Sequence, residues 1–531
     1  MSDASTSDAV GTKVAGAVGV ITLGLVFGYL LSLVKAALVA AYLGTGWQMD
    51  VFLWSSALVS LFAALASGPL LAVLVPLYLS QSVKDIEKAR NLLNAVLGLL
   101  FVSFAILSIV LVVGAPMAAR LLGTGMGPAG AEGRGLAIQL VWMMLPVVLF
   151  SGVWTACQAI LNAEKSFFAA ALSVSFSALG VILALLVLGR ARAVYAQAIG
   201  LSLGSVAQWA LLMALLRRRG LGRRWTLNLR AEGMGQFFRL LWPLVTSQAF
   251  ILCLPVVDRT IAAHFSPGSI SALGYAQTLM AMSATMFLTA SHTAILPFLS
   301  QQVAESGLVS FKRTFVPTIR VMVTLLTPLC VVMITLQRPV IQFIFERGLF
   351  DSRATALTAP AFAAYVAGVV PMAITFICAR GFNALQDSKT NALVGVLLLV
   401  TVKLGMNVLL TRWCGYLGLA WATSASYVVT ATVMLWVMRR RLGDIGEKQL
   451  LKNGGKTLIA SCLGGLLAWW GIRIGGSSSF LQLALGGTLA VLGYGTAAYL
   501  LRLEDVKRLS LLAVQFMWNR MRTITRGLPG Q

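Results

Sequence analysis

The stretch Leu74-Val-Pro-Leu-Tyr-Leu-Ser-Gln81 returns later as Ile295-Leu-Pro-Phe-Leu-Ser-Gln301, one residue shorter, with Pro76 and Pro297 separated by 221 residues. Two other matches keep almost the same spacing: Asn162-Ala163 with Asn383-Ala384 at 221, and Arg217-Arg218-Arg219 with Arg439-Arg440-Arg441 at 222. Each arginine triplet closes a long apolar segment. One match would mean little, but three in order along the chain point to a duplicated unit. Around them the chain of 531 residues is 58% hydrophobic and 11% charged, with a mean hydropathy of +0.87. An ordinary soluble protein has nearer a quarter of its residues charged. Such a chain belongs in lipid, where a crossing helix needs about 20 apolar residues. Fourteen apolar segments of that kind are expected, six in each copy of the duplication and two after it.

The expected fold is therefore all-α and integral to the membrane: a tail over 1–15, a six-helix lobe over 16–216, a basic linker over 217–236, a second six-helix lobe over 237–441, two appended helices over 442–503 and a basic tail over 504–531. Because six is even, both lobes enter the membrane in the same direction, which predicts a pseudo-two-fold axis along the membrane normal. Alternating the loops places 28 Lys and Arg on the side of the two termini and 9 on the other, so both termini are expected in the cytoplasm. The polar, acidic start of the chain lacks the basic region of a cleavable signal peptide. The net charge of +24 is spread between apolar segments rather than gathered in one patch. That distribution excludes a nucleic-acid partner and suits anionic lipids of the inner leaflet.

Ionisable groups inside spans are costly in hydrocarbon and mark candidate sites. Lys35 lies in Leu33-Val-Lys-Ala-Ala37 of span 1, and Asp258-Arg259 lies in Pro255-Val-Val-Asp-Arg-Thr260 of span 7, expected to be deep in the membrane. Their separation, 223 to 224 residues, is close to the repeat offset, so equivalent helices of the two lobes carry charge. One acid with two bases leaves a positive excess suited to an anion; a structural clamp between the lobes is the alternative. Arg380 and Lys403 are further candidates, with snorkelling toward a helix end the bland explanation for Arg380. Asp50 opens span 2, where capping is the commoner duty of an aspartate. The segment Gln337 to Arg353 mixes aromatic and charged residues, as an amphipathic stretch on the outer face would.

Chemistry that breaks bonds finds no support. Gly454-Gly455-Lys456-Thr457 ends like a phosphate-binding loop, but the first glycine of that motif falls on Leu450. His264 and His292 lie far apart, and the six cysteines show no metal spacing. No cofactor, no metal and no enzymatic activity are expected.

The order of these features resembles the MurJ/MviN family of lipid II flippases, within the multidrug/oligosaccharidyl-lipid/polysaccharide exporter superfamily. The resembling segments include Gly28 to Asp50, Val75-Pro76, Asp258-Arg259 with Gly268-Ser-Ile-Ser-Ala-Leu-Gly-Tyr-Ala276, Phe345-Glu-Arg-Gly-Leu-Phe-Asp351 and Phe382-Asn-Ala-Leu-Gln-Asp-Ser-Lys-Thr390. The resemblance implies a bacterial inner-membrane flippase for an undecaprenyl-pyrophosphate-linked glycan, with a cationic central cavity and cell-wall or polysaccharide assembly proteins as partners. Lys35 falls where the family has a cavity arginine, and Asp50 on a family aspartate. Departures from the pattern are Tyr29, Phe62-Ala63 and Gln277-Thr278, each standing where the family carries charge, which opens a related surface or exopolysaccharide glycan as cargo. A cation-coupled drug exporter of the same superfamily and a non-transporting scaffold for polysaccharide assembly are the alternative readings.

Overall fold

The computed structural model describes residues 27–503 apart from 66, 121–129, 165 and 445, together with residues 24 and 506. Every regular element among these residues is a helix. In chain order they are α1 (Phe27–Leu43), α2 (Trp47–Ala64), α3 (Ser67–Ser82), α4 (Ile86–Ala119), α5 (Gly130–Met143), α6 (Leu145–Ala163), α7 (Phe167–Ser173), α8 (Ser175–Leu188) and α9 (Ala193–Arg218). Then come α10 (Met234–Ala262), α11 (Ser269–Thr335), α12 (Gln337–Phe345), α13 (Ser352–Val366), α14 (Val369–Ala384), α15 (Ser388–Thr390), a π-helical turn (Asn391–Leu398), α16 (Leu399–Cys414), α17 (Leu417–Leu442), α18 (Glu447–Ile474) and α19 (Ser479–Leu500). In hydrocarbon the backbone must bond to itself, and a helix does so within one segment. Asp85 opens α4 by accepting the N–H groups of Glu87 and Lys88, and Ser478 opens α19 through Leu481.

Eleven stretches among the described residues are long and apolar enough to cross a membrane, and Phe27–Leu43 and Ser175–Leu188 are shorter apolar helices. The chain is a many-span helical membrane protein. Where two spans, 270–299 and 315–336, were expected with a loop between them, helical backbone runs unbroken through α11 for 67 residues. The intervening Gln301 to Thr314 holds no proline and only Gly307, so no local breaker forces a loop there.

The chain divides into two compact units, Met1–Tyr275 with Phe345–Leu357, and Ala276–Ile344 with Thr358–Gln531. The first contains the basic linker and α10. The linker lies along this unit through Thr226 N–H to Asn94 O at 3.2 Å, Trp225 against Phe101, and a Lys88–Glu232 ion pair at 2.6 Å. Within it α9 packs on α6 and α8; within the second unit α17 packs on α14 and α16. The same helix order is therefore packed in the same way at the repeat spacing. The second unit also holds α18 and α19, whose Gly471 and Gly486 lie so close that a Cβ on Gly471 would come 2.7 Å from the Gly486 backbone, the close approach small residues permit between membrane helices. Tyr494 of α19 donates to Thr324 O of α11 at 3.1 Å.

Candidate functional site

The first unit gathers Asp50, Asp258 and Arg259 where α2, α10 and the start of α11 meet. Asp50 is buried, and its carboxylate accepts the N–H of Gly268 and the N–H of Ser271, each at 2.6 Å. Those donors are the residue just before α11 and the third residue of its first turn, where N–H groups have no partner inside the helix. Sequence reading had Asp50 capping its own helix; instead it caps another, while Gly46 at the start of α2 makes no side-chain cap. Asp50 still sits in the first turn of α2, so one carboxylate faces the positive ends of two helices. Asp50 and Ser271 are 221 residues apart. That is the spacing of the sequence matches Pro76/Pro297 and Asn162/Asn383.

Arg259 of α10 donates to Leu53 O and, at 3.2 Å, to Ser56 Oγ of α2. Next to it Trp54 Nε1 donates to Thr260 Oγ1 at 3.0 Å. Asp258 is buried and also has a bonding partner. Both residues lie three to four positions before Ala262, the last of α10, which is about 5 Å of helix rise. They are therefore near the end of α10. Lys35 of α1 is half-buried and stands eight residues, about 12 Å, before Leu43. Among the described residues Lys35 forms no ion pair, so the structure joins Arg259 to α2 and leaves the Lys35 ammonium without an acid.

Sequence reasoning missed the neighbours that fix this corner. Tyr275 donates to Gly44 O at 3.1 Å and packs its ring on Phe345 and Phe350. Leu349 N–H donates to Ala41 O at 2.9 Å. The aromatics expected to lie on a membrane surface thus divide: Phe345 and Phe350 are buried in this unit. Their conspicuous local signal is the Phe-Glu-Arg-Gly-Leu-Phe run itself.

In the second unit Lys403 is buried on α16 with Asn407 one turn on, and both have bonding partners. Arg380, half-buried and also partnered, stands four residues before the end of α14. Beyond that end Asp387 pairs with Arg441, whose guanidinium also donates to Thr390 Oγ1 at 3.2 Å and lies over the Phe382 ring. Hydrogen bonds from Thr390, and then the charge of Arg441, hold the Asp387 carboxyl below the usual carboxylate range. In the first unit Arg219 donates to Glu164 O at 3.1 Å. The third arginine of each triplet therefore clasps the loop after the corresponding helix, α6 or α14.

The buried Lys403 and the half-buried Lys35, Arg259 and Arg380 describe a protein that holds positive charge on its apolar helices. Relatives show where it falls among known proteins. A curated probable lipid II flippase MurJ of Synechocystis is 27% identical over 490 residues, covering 87% of this chain and 90% of the relative. One from Vibrio cholerae is 26% identical, covering 90% and 94%. Among solved structures, lipid II flippase MurJ in an inward closed conformation aligns with a TM-score of 0.73 at 20% identity, over 90% of this chain and 98% of that one. An inward-facing multidrug transporter of the MATE family gives 0.66 at 14% identity, over 80% and 98%. The family described as lipid II flippase MurJ matches residues 39–486, and the chain belongs to that family.

Proposed function

We propose that the protein moves a polyprenyl-pyrophosphate-linked glycan of the lipid II class from the cytoplasmic to the periplasmic leaflet of the bacterial inner membrane, breaking no covalent bond. Its family membership supports this reading most directly, because its relatives are named for lipid II. The chemistry agrees: a pyrophosphate crossing low dielectric needs its charge matched, and the half-buried Lys35, with Arg259 and Lys403 at other depths, supplies cations along spans. In this reading Lys35 and Arg259 bind the pyrophosphate, Asp258 holds a cation while the path is empty, Asp50 fixes the helix ends, and Arg380 and Lys403 serve the second lobe. Two six-helix lobes over 16–216 and 237–441, with 442–503 appended, rock to give alternating access.

Reconstitution in vesicles with a fluorescent lipid-linked glycan tests it. Wild-type protein is expected to expose the glycan to an outside quencher with its mass unchanged. Lys35→Ala is expected to stop movement, and Lys35→Arg to retain more of it. Wild-type rates for both Lys35→Ala and Arg259→Ala, at equal protein levels, would defeat the cationic path. Fourteen crossings, with the termini inside, require α11 to bend back within 300–314 and put that segment on the side of the linker. Val309→Cys is therefore expected to react with a membrane-impermeant reagent from the same side as Arg224→Cys.

One observation favours a second cargo. Tyr29, Phe62-Ala63 and Gln277-Thr278 are uncharged, so the path carries less positive charge than the family pattern has. A surface glycan on the same pyrophosphate carrier fits that loss, and faster transport of such a lipid than of lipid II would select it.

A further inference from the structure

The two arginine triplets occupy equivalent places but differ in what surrounds them. In the second unit all three side chains are taken up by the protein. Arg439 pairs with Glu447 at 2.6 Å, Arg440 lies over the Trp436 ring at 3.8 Å, and Arg441 holds Asp387. Among the described residues of the first unit only Arg219 is used in this way, through Glu164 O. Arg217 and Arg218 are exposed instead, and with Ala214 and Arg223 they line a shallow recess, wide open to the surface, at the end of α9.

The recess is built by the backbone. Gly220 and Gly222 have φ of +76° and +64°, values that side-chain-bearing residues rarely adopt. Gly220 N–H donates to Arg217 O at 3.0 Å and Leu221 N–H to Leu216 O at 3.2 Å, so the chain turns back on α9. Leu221 and Gly222 are buried in that turn. The reversal brings Arg223 to the same recess as Arg217 and Arg218. Among the described residues no acid pairs with any of the three. The recess lies at the end of α9, within a stretch long and apolar enough to cross a membrane, and the chain beyond it runs on to α4 through Thr226 N–H and Asn94 O.

The geometry points to a binding site for an anionic phospholipid: Arg217, Arg218 and Arg223 hold the headgroup phosphate, and the acyl chains lie against the apolar body of α9. Three arginines bordering one recess, with no acid paired to them among the described residues, are a phosphate-binding arrangement. The location at the end of a helix long and apolar enough to cross a membrane selects a lipid over a soluble phosphate. The site lies on the basic linker, apart from the in-span charges, and does not rest on the flippase reading.

The full-length protein in nanodiscs of mixed phosphatidylglycerol and phosphatidylcholine tests this, with retained lipid counted by native mass spectrometry. Phosphatidylglycerol is expected to be retained selectively, and about fivefold more weakly for each arginine removed. Arg223→Gln, in the loop, keeps the test independent of α9 folding, and the Arg217→Gln/Arg218→Gln/Arg223→Gln variant should lose the selectivity. An Arg190→Gln/Arg192→Gln/Arg473→Gln variant, with the same charge change elsewhere, should keep it. Equal retention of both lipids by wild type, or undiminished selectivity in Arg223→Gln and the triple variant, would overturn the proposal. Soluble glycerol phosphate displacing the lipid at matched concentration would also overturn it, by showing a site for a free phosphate.

Discussion

The segments Arg217–219 and Arg439–441 are the same three letters placed 222 residues apart, yet they do different work. Their third members agree: Arg219 and Arg441 each hold the loop that follows a corresponding helix. Their first two members part company. Arg439 and Arg440 are engaged by Glu447 and Trp436, whereas Arg217 and Arg218 open onto a recess. After a duplication, the position that fastens two helices is constrained by both, while its neighbours are free to find separate partners. Asp50 and Ser271, separated by the same 221 residues as the sequence matches, differ too at a buried place: one accepts, the other donates, and they are bonded to each other.

The largest effect is expected at that buried pair. Asp50→Ala strands two N–H groups at the start of α11 without an acceptor, a loss on the order of 3 kcal/mol. A drop of many degrees in the melting temperature in detergent would show it. If the two positions are truly equivalent, the exchange Asp50→Ser/Ser271→Asp returns a carboxylate to the same meeting of helix ends and recovers part of the loss. An exchanged variant no more stable than Asp50→Ala would break the equivalence.

The clasps come next. Arg441→Ala removes an ion pair, a hydrogen bond to Thr390 and a ring contact, but the guanidinium is 44% exposed and its partner 15%. Solvent screening brings the expected loss to about 1–2 kcal/mol. Arg219→Ala removes a single bond to an exposed carbonyl and is expected to cost under about 1 kcal/mol. Equal losses in the two variants would mean that the clasps are alike despite their different acceptors.

Much of the fold was legible because membrane helices write themselves as apolar runs, and the duplication repeats them at a fixed offset. What failed to show was governed by partners distant in sequence. Asp50 reads as a cap from its place before an apolar run, but nothing local says that the capped helix begins at Ser269. Arg259 reads as an ion in a span; that its guanidinium seeks Leu53 O and Ser56 depends on α2 and α10 packing together. The triplets read as leaflet anchors, and the acceptors of Arg219 and Arg441 lie 55 and 54 residues upstream, on loops whose sequences differ. The loop expected inside α11 rested on the span-length rule, without a glycine–proline signal to support it.

The smallest expected effect on stability is the one that separates the first two arginines of the copies. Arg217→Gln with Arg218→Gln should change the melting temperature of delipidated protein by no more than ~0.5 kcal/mol allows, because exposed substitutions away from caps and cores seldom do more. Added phosphatidylglycerol should then raise the wild-type melting temperature and leave the variant behind, since a ligand that binds only the folded state stabilises it in proportion to the logarithm of its concentration over Kd. The corresponding Arg439→Gln should lose a little stability in both conditions and respond to the lipid as wild type does, because its Glu447 partner is part of the protein. If the lipid stabilises both variants equally, the difference between the triplets is one of local packing alone.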